Sequence, residues 1–234
     1  MKREELLAWI GVAIGIPPLI YLMSGGKWAT GVFVVLMVAA LVTDYFKEKS
    51  ERSRPTLTLL HVEKTIRIKD AMAHVAEFNG TYTVRANHRA TEIVLWHGDG
   101  DGSIDHIKIN GAAWAPPDDV AKIGNRTRIT KRFAPELSPG QTVTLTIAYD
   151  QIDGYPGKRQ EGVGHKVDFQ TESCEVEVLF HPERPCISGV LTRRYLGQHH
   201  HFAHPDRQEN GLRIWSRKIK HPPFGSEYLI EWTW

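Results

Sequence analysis

The sequence predicts a two-helix transmembrane hairpin followed by an all-β domain, an antiparallel barrel or sandwich. Three observations carry this prediction. Leu6 to Gly26 runs 21 residues without a charge, and Trp28 to Thr43 adds 16 more after the single Lys27. Basic residues flank the pair on both outer sides. Beyond Pro55, short alternating or β-branched runs recur between Gly, Pro, Asn and Asp.

At a helical rise of about 1.5 Å per residue the two runs span roughly 32 and 24 Å, against a hydrocarbon core of about 30 Å. This places helices over about 6–24 and 28–45 inside a hairpin of residues 1–46, with Tyr45 and Phe46 reaching the interface. A cleaved signal peptide would carry one apolar core, not two in succession. Lys2 and Arg3 precede the first run, and Lys47, Lys49, Arg52 and Arg54 form a basic linker over 47–54. Positive charge stays on the cytoplasmic side, so the N-terminus and the domain over 55–234 are both expected in the cytoplasm. Gly11 and Gly15 form a small-xxx-small pair that lets helix backbones approach closely. It serves self-association or packing within the hairpin. Neither run contains an ionisable residue, which argues for an anchor or an assembling part and against a transporter.

The domain over 55–234 has room for a substantial core. It holds 22 Lys plus Arg and 22 Asp plus Glu, so the net charge of +2 comes from the membrane-flanking segments. A neutral domain excludes general coating of DNA or RNA polymers. Cys174 and Cys186 are the only cysteines and are expected as free thiols.

Strand readings run in order from Leu57–Ile68, as one long strand or two, through Thr81–Val84, Glu92–Trp96, Ile104–Ile109, Thr127–Phe133, Thr142–Tyr149, Lys166–Phe169, Cys174–Phe180, Ile187–Leu191 and Leu212–Ile219 to Tyr228–Trp232. Val143, Leu145 and Ile147 alternate with threonines, which puts the apolar set on one face. The one expected helix is short, around Ala71–Glu77. Many short strands with frequent turns are the mark of a sandwich or barrel, and the pattern leaves the two open.

Motifs for covalent or phosphate chemistry are absent: no Gly-x-Ser-x-Gly elbow, P-loop or dinucleotide fingerprint. No cofactor is expected, and the chain reads as a non-enzyme. The loop from Gly98 to Asp105 reads as a hairpin turn, since Ile104 and Asn110 stand where a calcium loop needs Gly and Glu. His200 and His204 are weak metal candidates in a His-rich loop, because Pro205 argues against the helix their spacing would need. The stronger grouping is basic and aromatic. Arg126, Arg128, Lys131 and Arg132 fall on or before one strand, Arg193, Arg194 and Tyr195 end another, and Trp215, Arg217, Lys218 and Lys220 lie on the penultimate one. Lys131, Arg132, Arg193, Arg194, Tyr195, Trp215 and Arg217 are the expected ligand-binding set. Guanidinium groups pair with phosphates and aromatic faces stack on bases, which a nucleotide site requires. A solvated sheet face fits the same alternation.

Hairpin and β domain together resemble the two-transmembrane, β-rich effectors of bacterial cyclic-oligonucleotide antiphage defence. The resemblance covers the whole chain in architecture, Leu6–Thr43 for the hairpin and Pro55–Trp234 for the sensor. It implies a homo-oligomeric effector at the inner membrane, whose cytoplasmic domain senses a cyclic oligonucleotide messenger and drives disruption of the lipid bilayer. Three rival readings are a membrane-tethered module that docks a protein partner, a metal-dependent hydrolase using the histidine loop, and an exported envelope domain.

Overall fold

The computed structural model describes residues 55–98, 102–155, 160–184, 188–202, 206–209 and 212–233, with Met37, Val38 and Ala40, which are helical. Among the described residues no helix is long and apolar enough to cross a membrane, and Pro55–Trp234 is a unit built of strands. This corrects the expected class, hairpin plus β domain, to all-β. The helices expected over about 6–24 and 28–45, and with them Gly11 and Gly15, lie outside the described residues apart from the three helical ones. Apolar length alone is a permissive signal. The second run falls short of the roughly 17–25 residues a span needs, and Pro17-Pro18 removes two backbone donors from the first.

The strands are β1 (Leu57–Ile68), β2 (Val75–Ala86), β3 (Ala90–Gly98), β4 (Ser103–Ile109), β5 (Ala112–Ala113), β6 (Asp119–Ile123), β7 (Arg126–Leu137) and β8 (Thr142–Ile152). They continue as β9 (Gln160–Lys166), β10 (Gln170–Thr171), β11 (Ser173–Leu179), β12 (Ser188–Tyr195), β13 (Gln198–Phe202), β14 (Asp206–Glu209), β15 (Leu212–Lys220) and β16 (Glu227–Thr233). The expected helix around Ala71–Glu77 is instead a turn leading into β2. Asp70 makes it, its carboxylate accepting from the backbone N–H groups of Met72, His74 and Val75. An aspartate that satisfies the backbone in this way competes directly with helix formation.

Among the described residues three open sheets form. The large one runs β14-β15-β11-β1-β2-β8-β4-β5, with β10 also pairing β1. The second runs β13-β12-β16-β9 and the third β3-β7-β6. Open sheets with edge strands are a layered, sandwich-like arrangement and not a closed barrel. Nor is the arrangement wholly antiparallel. β1 pairs antiparallel with β2 but parallel with β10 and β11. Parallel neighbours need a long crossover, and here strands β2 to β9 supply it.

One buried cluster draws on all three sheets, so the smaller sheets share a core with the large one. The parity of each strand shows which face is inside. Val62, Ile66 and Ile68 of β1, Phe78, Tyr82 and Val84 of β2, Leu145, Ile147 and Tyr149 of β8, and Cys174, Val176 and Val178 of β11 are buried. From the smaller sheets come Ile93, Leu95 and His97 of β3, Ile129 of β7, and Tyr228, Ile230 and Trp232 of β16. Aromatic rings join the layers in two places. His97 meets Phe78 and Tyr149 edge-on, with ring centroids 5.0 and 5.3 Å apart. Trp232 meets Phe180 at 5.4 Å and Tyr155 at 5.6 Å.

Gly80 stands on the inward face of β2, where the pattern calls for an apolar side chain. A Cβ there would sit 2.9 Å from ring carbons of both Phe78 and Tyr82. The missing side chain is the space those rings occupy. Gly80→Ala is expected to destabilise the domain by about 1–3 kcal/mol, because two packed rings must shift. Urea unfolding monitored by fluorescence measures it, and an unchanged midpoint would contradict this packing.

Candidate ligand-binding cavity

A lysine on an inward strand face is costly unless something uses it. Lys64 follows Val62 and precedes Ile66 on the core-facing parity of β1, opposite Gly80 of β2 and Val176 of β11. It lines a cavity of about 510 Å³ where the large sheet faces both smaller ones. The large sheet contributes Lys64, Ile66, Phe78, Tyr149, Gln151 and Val176 to the wall. The three-stranded sheet and its turn add Trp96, His97, Gly98, Asn125 and Arg126. β9 and β16 add Val163, Lys166, Glu227 and Leu229, and Tyr155 closes a further side.

The electrostatics are set by burial. Lys64 is held down to about 8, chiefly by burial; Cys174 and Asp168 oppose that shift and Arg126 adds to it. His97 is driven well below the usual histidine range by burial, then by the charges of Lys64 and Arg126. His165, from β9, moves the same way, by burial and then through Lys64 and His97. Both imidazoles are therefore neutral at pH 7. His97 Nδ1 lies 3.2 Å from the Tyr149 hydroxyl, while among the described residues its buried Nε2 has no partner, and neither ring nitrogen of His165 has one. Burial raises the Cys174 thiol to about 11, which makes it inert.

The carboxylates at the rim are already engaged. Asp168 lies 3.5 Å from Lys166, and Glu227 lies 3.7 Å from Arg194. Lys64 and Arg126 have no carboxylate at ion-pair distance among the described residues; Arg126 instead lies over the Trp96 ring, 5.2 Å from its centroid. Lys64 and Arg126, without a direct ion pair among the described residues, line one space with neutral His97 and the rings of Trp96, Tyr149 and Tyr155. Such a wall suits a small anion carrying an unsaturated ring, and the volume falls within the usual range of roughly 300–1,000 Å³ for small-molecule sites.

Of the basic and aromatic residues grouped by sequence, Arg126 lines this cavity, and the seven expected to bind ligand lie elsewhere, spread over three sheets. Lys131 of β7 donates to both carboxylate oxygens of Asp118, at 3.1 and 2.9 Å. Arg132 gives its backbone N–H to the same carboxylate and lies 3.9 Å from Glu92. On β12, Arg193 faces His200 and Tyr228 in register, with its Nε buried and unpartnered. Arg194 reaches Glu227 and Glu231 at 3.7 and 3.6 Å. Arg194 and Tyr195 line a separate, shallower depression of about 370 Å³ that shares Lys166 and Glu227 with the main cavity. Trp215 holds the β15 position opposite Val178 of β11, and Arg217 lies over the Phe202 ring at 5.3 Å. None of these seven lines the main cavity.

The expected histidine loop is in part a strand, since His199, His200 and His201 belong to β13, paired with β12. Hairpin pairing with β12 satisfies the backbone groups on one side of this edge strand, which a solvated loop would leave to water. His204 lies outside the described residues, and among those described no group of three or more His, Cys, Asp or Glu could hold a metal ion. Asp99 and Asp101 of the glycine-rich turn also lie outside.

The chain matches no protein-family model and no curated protein. Some solved structures bear a loose likeness. An M1 zinc metallopeptidase from Deinococcus radiodurans aligns over 75% of this chain at 14% identity and a TM-score of 0.43. A proposed protease from Parabacteroides distasonis aligns over 78% at 10% identity and a TM-score of 0.47. The chain spans 42% and 41% of those two proteins. Likeness at this level assigns neither a family nor an activity.

Proposed function

We propose that residues 55–234 form a non-catalytic sensor whose interior cavity binds a small phosphate-bearing aromatic ligand, a cyclic oligonucleotide being the leading class. The observation that carries this reading is the meeting of Lys64, Arg126 and the unpartnered Nε2 of buried His97 around one cavity. Arg126 supplies a planar fork for phosphate oxygens and Lys64 a point charge. Trp96, Tyr149 and Tyr155 supply aromatic wall for a base, and His97 Nε2 offers a neutral hydrogen-bond site that discriminates between bases. Downstream, ligand binding would favour an assembled form of the protein at the inner membrane, as the effector resemblance implies. It can do so only by binding that form more tightly than the free one.

Thermal-shift screening of the full chain against cyclic di- and trinucleotides tests the reading. Occupancy at about 100 times the dissociation constant stabilises by about 2.7 kcal/mol, a shift of several degrees. Arg126→Ala is expected to remove the shift with little change in the unliganded midpoint, while Arg132→Ala leaves it intact. If no member of the panel raises the midpoint, the nucleotide reading falls and a protein-docking module takes its place.

A further inference from the structure

We propose that Lys64 is a carbonyl-reactive amine, which condenses with an aldehyde or ketone of an anionic ligand held by Arg126. The inference shares the cavity with the sensor reading but needs a different ligand chemistry, so the two can fail separately. The geometry comes first. Lys64 lines a cavity together with His97, Tyr149 and Arg126, and no carboxylate among the described residues stands at ion-pair distance from it. The charged or titratable groups acting on it are Cys174 and Asp168, which favour its protonated form, and Arg126, which disfavours it. His97 and His165, also within its reach, are neutral.

Burial leaves a sizeable fraction of Lys64 unprotonated near neutral pH, unlike an ordinary surface lysine. The free amine attacks the carbonyl carbon, forming a C–N bond while the carbonyl oxygen takes up a proton. The carbinolamine then loses its hydroxyl as water together with the nitrogen proton, leaving an imine. One carbonyl oxygen departs as water, and no oxidant or reductant is consumed. Arg126 positions the anionic end, which confines the reaction to ligands carrying both groups.

The test uses the unmodified full chain and pyridoxal 5′-phosphate as a phosphorylated aldehyde probe, trapped with borohydride at pH 7.5 and located by peptide mapping. The expected result is an adduct at Lys64 at least ten-fold more abundant than at any other lysine. It should fall at least five-fold in Arg126→Ala and with pyridoxal lacking the phosphate. Lys64→Arg should lose this adduct without gaining one elsewhere. Even labelling of surface lysines, or preferential labelling of Lys166 at the cavity rim, would overturn the proposal. A cyclic-dinucleotide shift without a Lys64 adduct overturns this chemistry and leaves the sensor reading standing. An adduct without any nucleotide shift supports this chemistry and sinks that reading.

Discussion

Lys64→Met is expected to stabilise the folded domain at pH 7 while removing its affinity for anions. The wild-type amine sits near 8 in the folded protein, against an ordinary value of 10.5. Between those two values the unfolded chain binds more protons than the folded one. Wild-type stability therefore rises with pH from about 8 towards about 10.5, where the burial cost of the charge disappears. Methionine has a similar length and no charge, so the variant is stable from the start and lacks this rise. The difference between the two proteins is expected to be about 2–3 kcal/mol at pH 7 and to shrink by at least half at pH 9.5. Paired urea titrations at the two pH values measure it. A difference independent of pH would show that Lys64 carries no suppressed protonation. A residue that weakens the fold and strengthens a site is what a ligand cavity predicts, since selection on stability alone would remove it.

The second large effect is at Trp232. It is 1% exposed on β16, between β12 and β9, and it touches both Phe180 and Tyr155. Trp232→Ala leaves a void that β-sheet backbones cannot collapse to fill, at an expected cost of about 3–5 kcal/mol. Trp232→Phe keeps a ring in place and should cost less than half as much. Because Tyr155 lines the cavity, the alanine variant should also weaken ligand binding more than its loss of stability alone explains. Chemical denaturation gives the first quantity and a binding titration at 10 °C the second. A loss below 1 kcal/mol would mean that Trp232 does not join the layers.

Much of the β domain was legible because side-chain parity survives in single strands. β1 has the predicted bounds, Leu57–Ile68, and β8, β11, β15 and β16 lie within a few residues of theirs. β9 was misplaced because Gly162 and Gly164 lower its strand propensity, although they pack against Leu229 across the β16 pairing. β13 was hidden because a run of three histidines reads as solvated when its partner strand is unknown. Parallel pairing of β1 with β11 has no local signature at all, since each strand looks the same whichever neighbour it takes. The cavity was legible in principle. A lysine at the Val62–Ile66 parity and a histidine at the Ile93–Leu95 parity both break an apolar row inward. Density of charge points instead to Arg193, Arg194, Lys131 and Arg132; the fold pairs Lys131 with Asp118, Arg132 with Glu92 and Arg194 with Glu227 and Glu231, and buries the Nε of Arg193.

The pairing of β1 also governs how this chain is made. His61 and Ser173, joined across that boundary by a 2.8 Å hydrogen bond, stand 112 residues apart. The hairpin of β1 with β2 can close while the chain is still emerging from the ribosome. Its other flank must wait until β11 has been synthesised, several seconds later at translation rates of about 5–20 residues per second. During that interval an apolar strand with unpaired amides is open to any extended peptide nearby. Nascent chains halted before β11 should therefore recruit holding chaperones, and release them once β11 has left the exit tunnel.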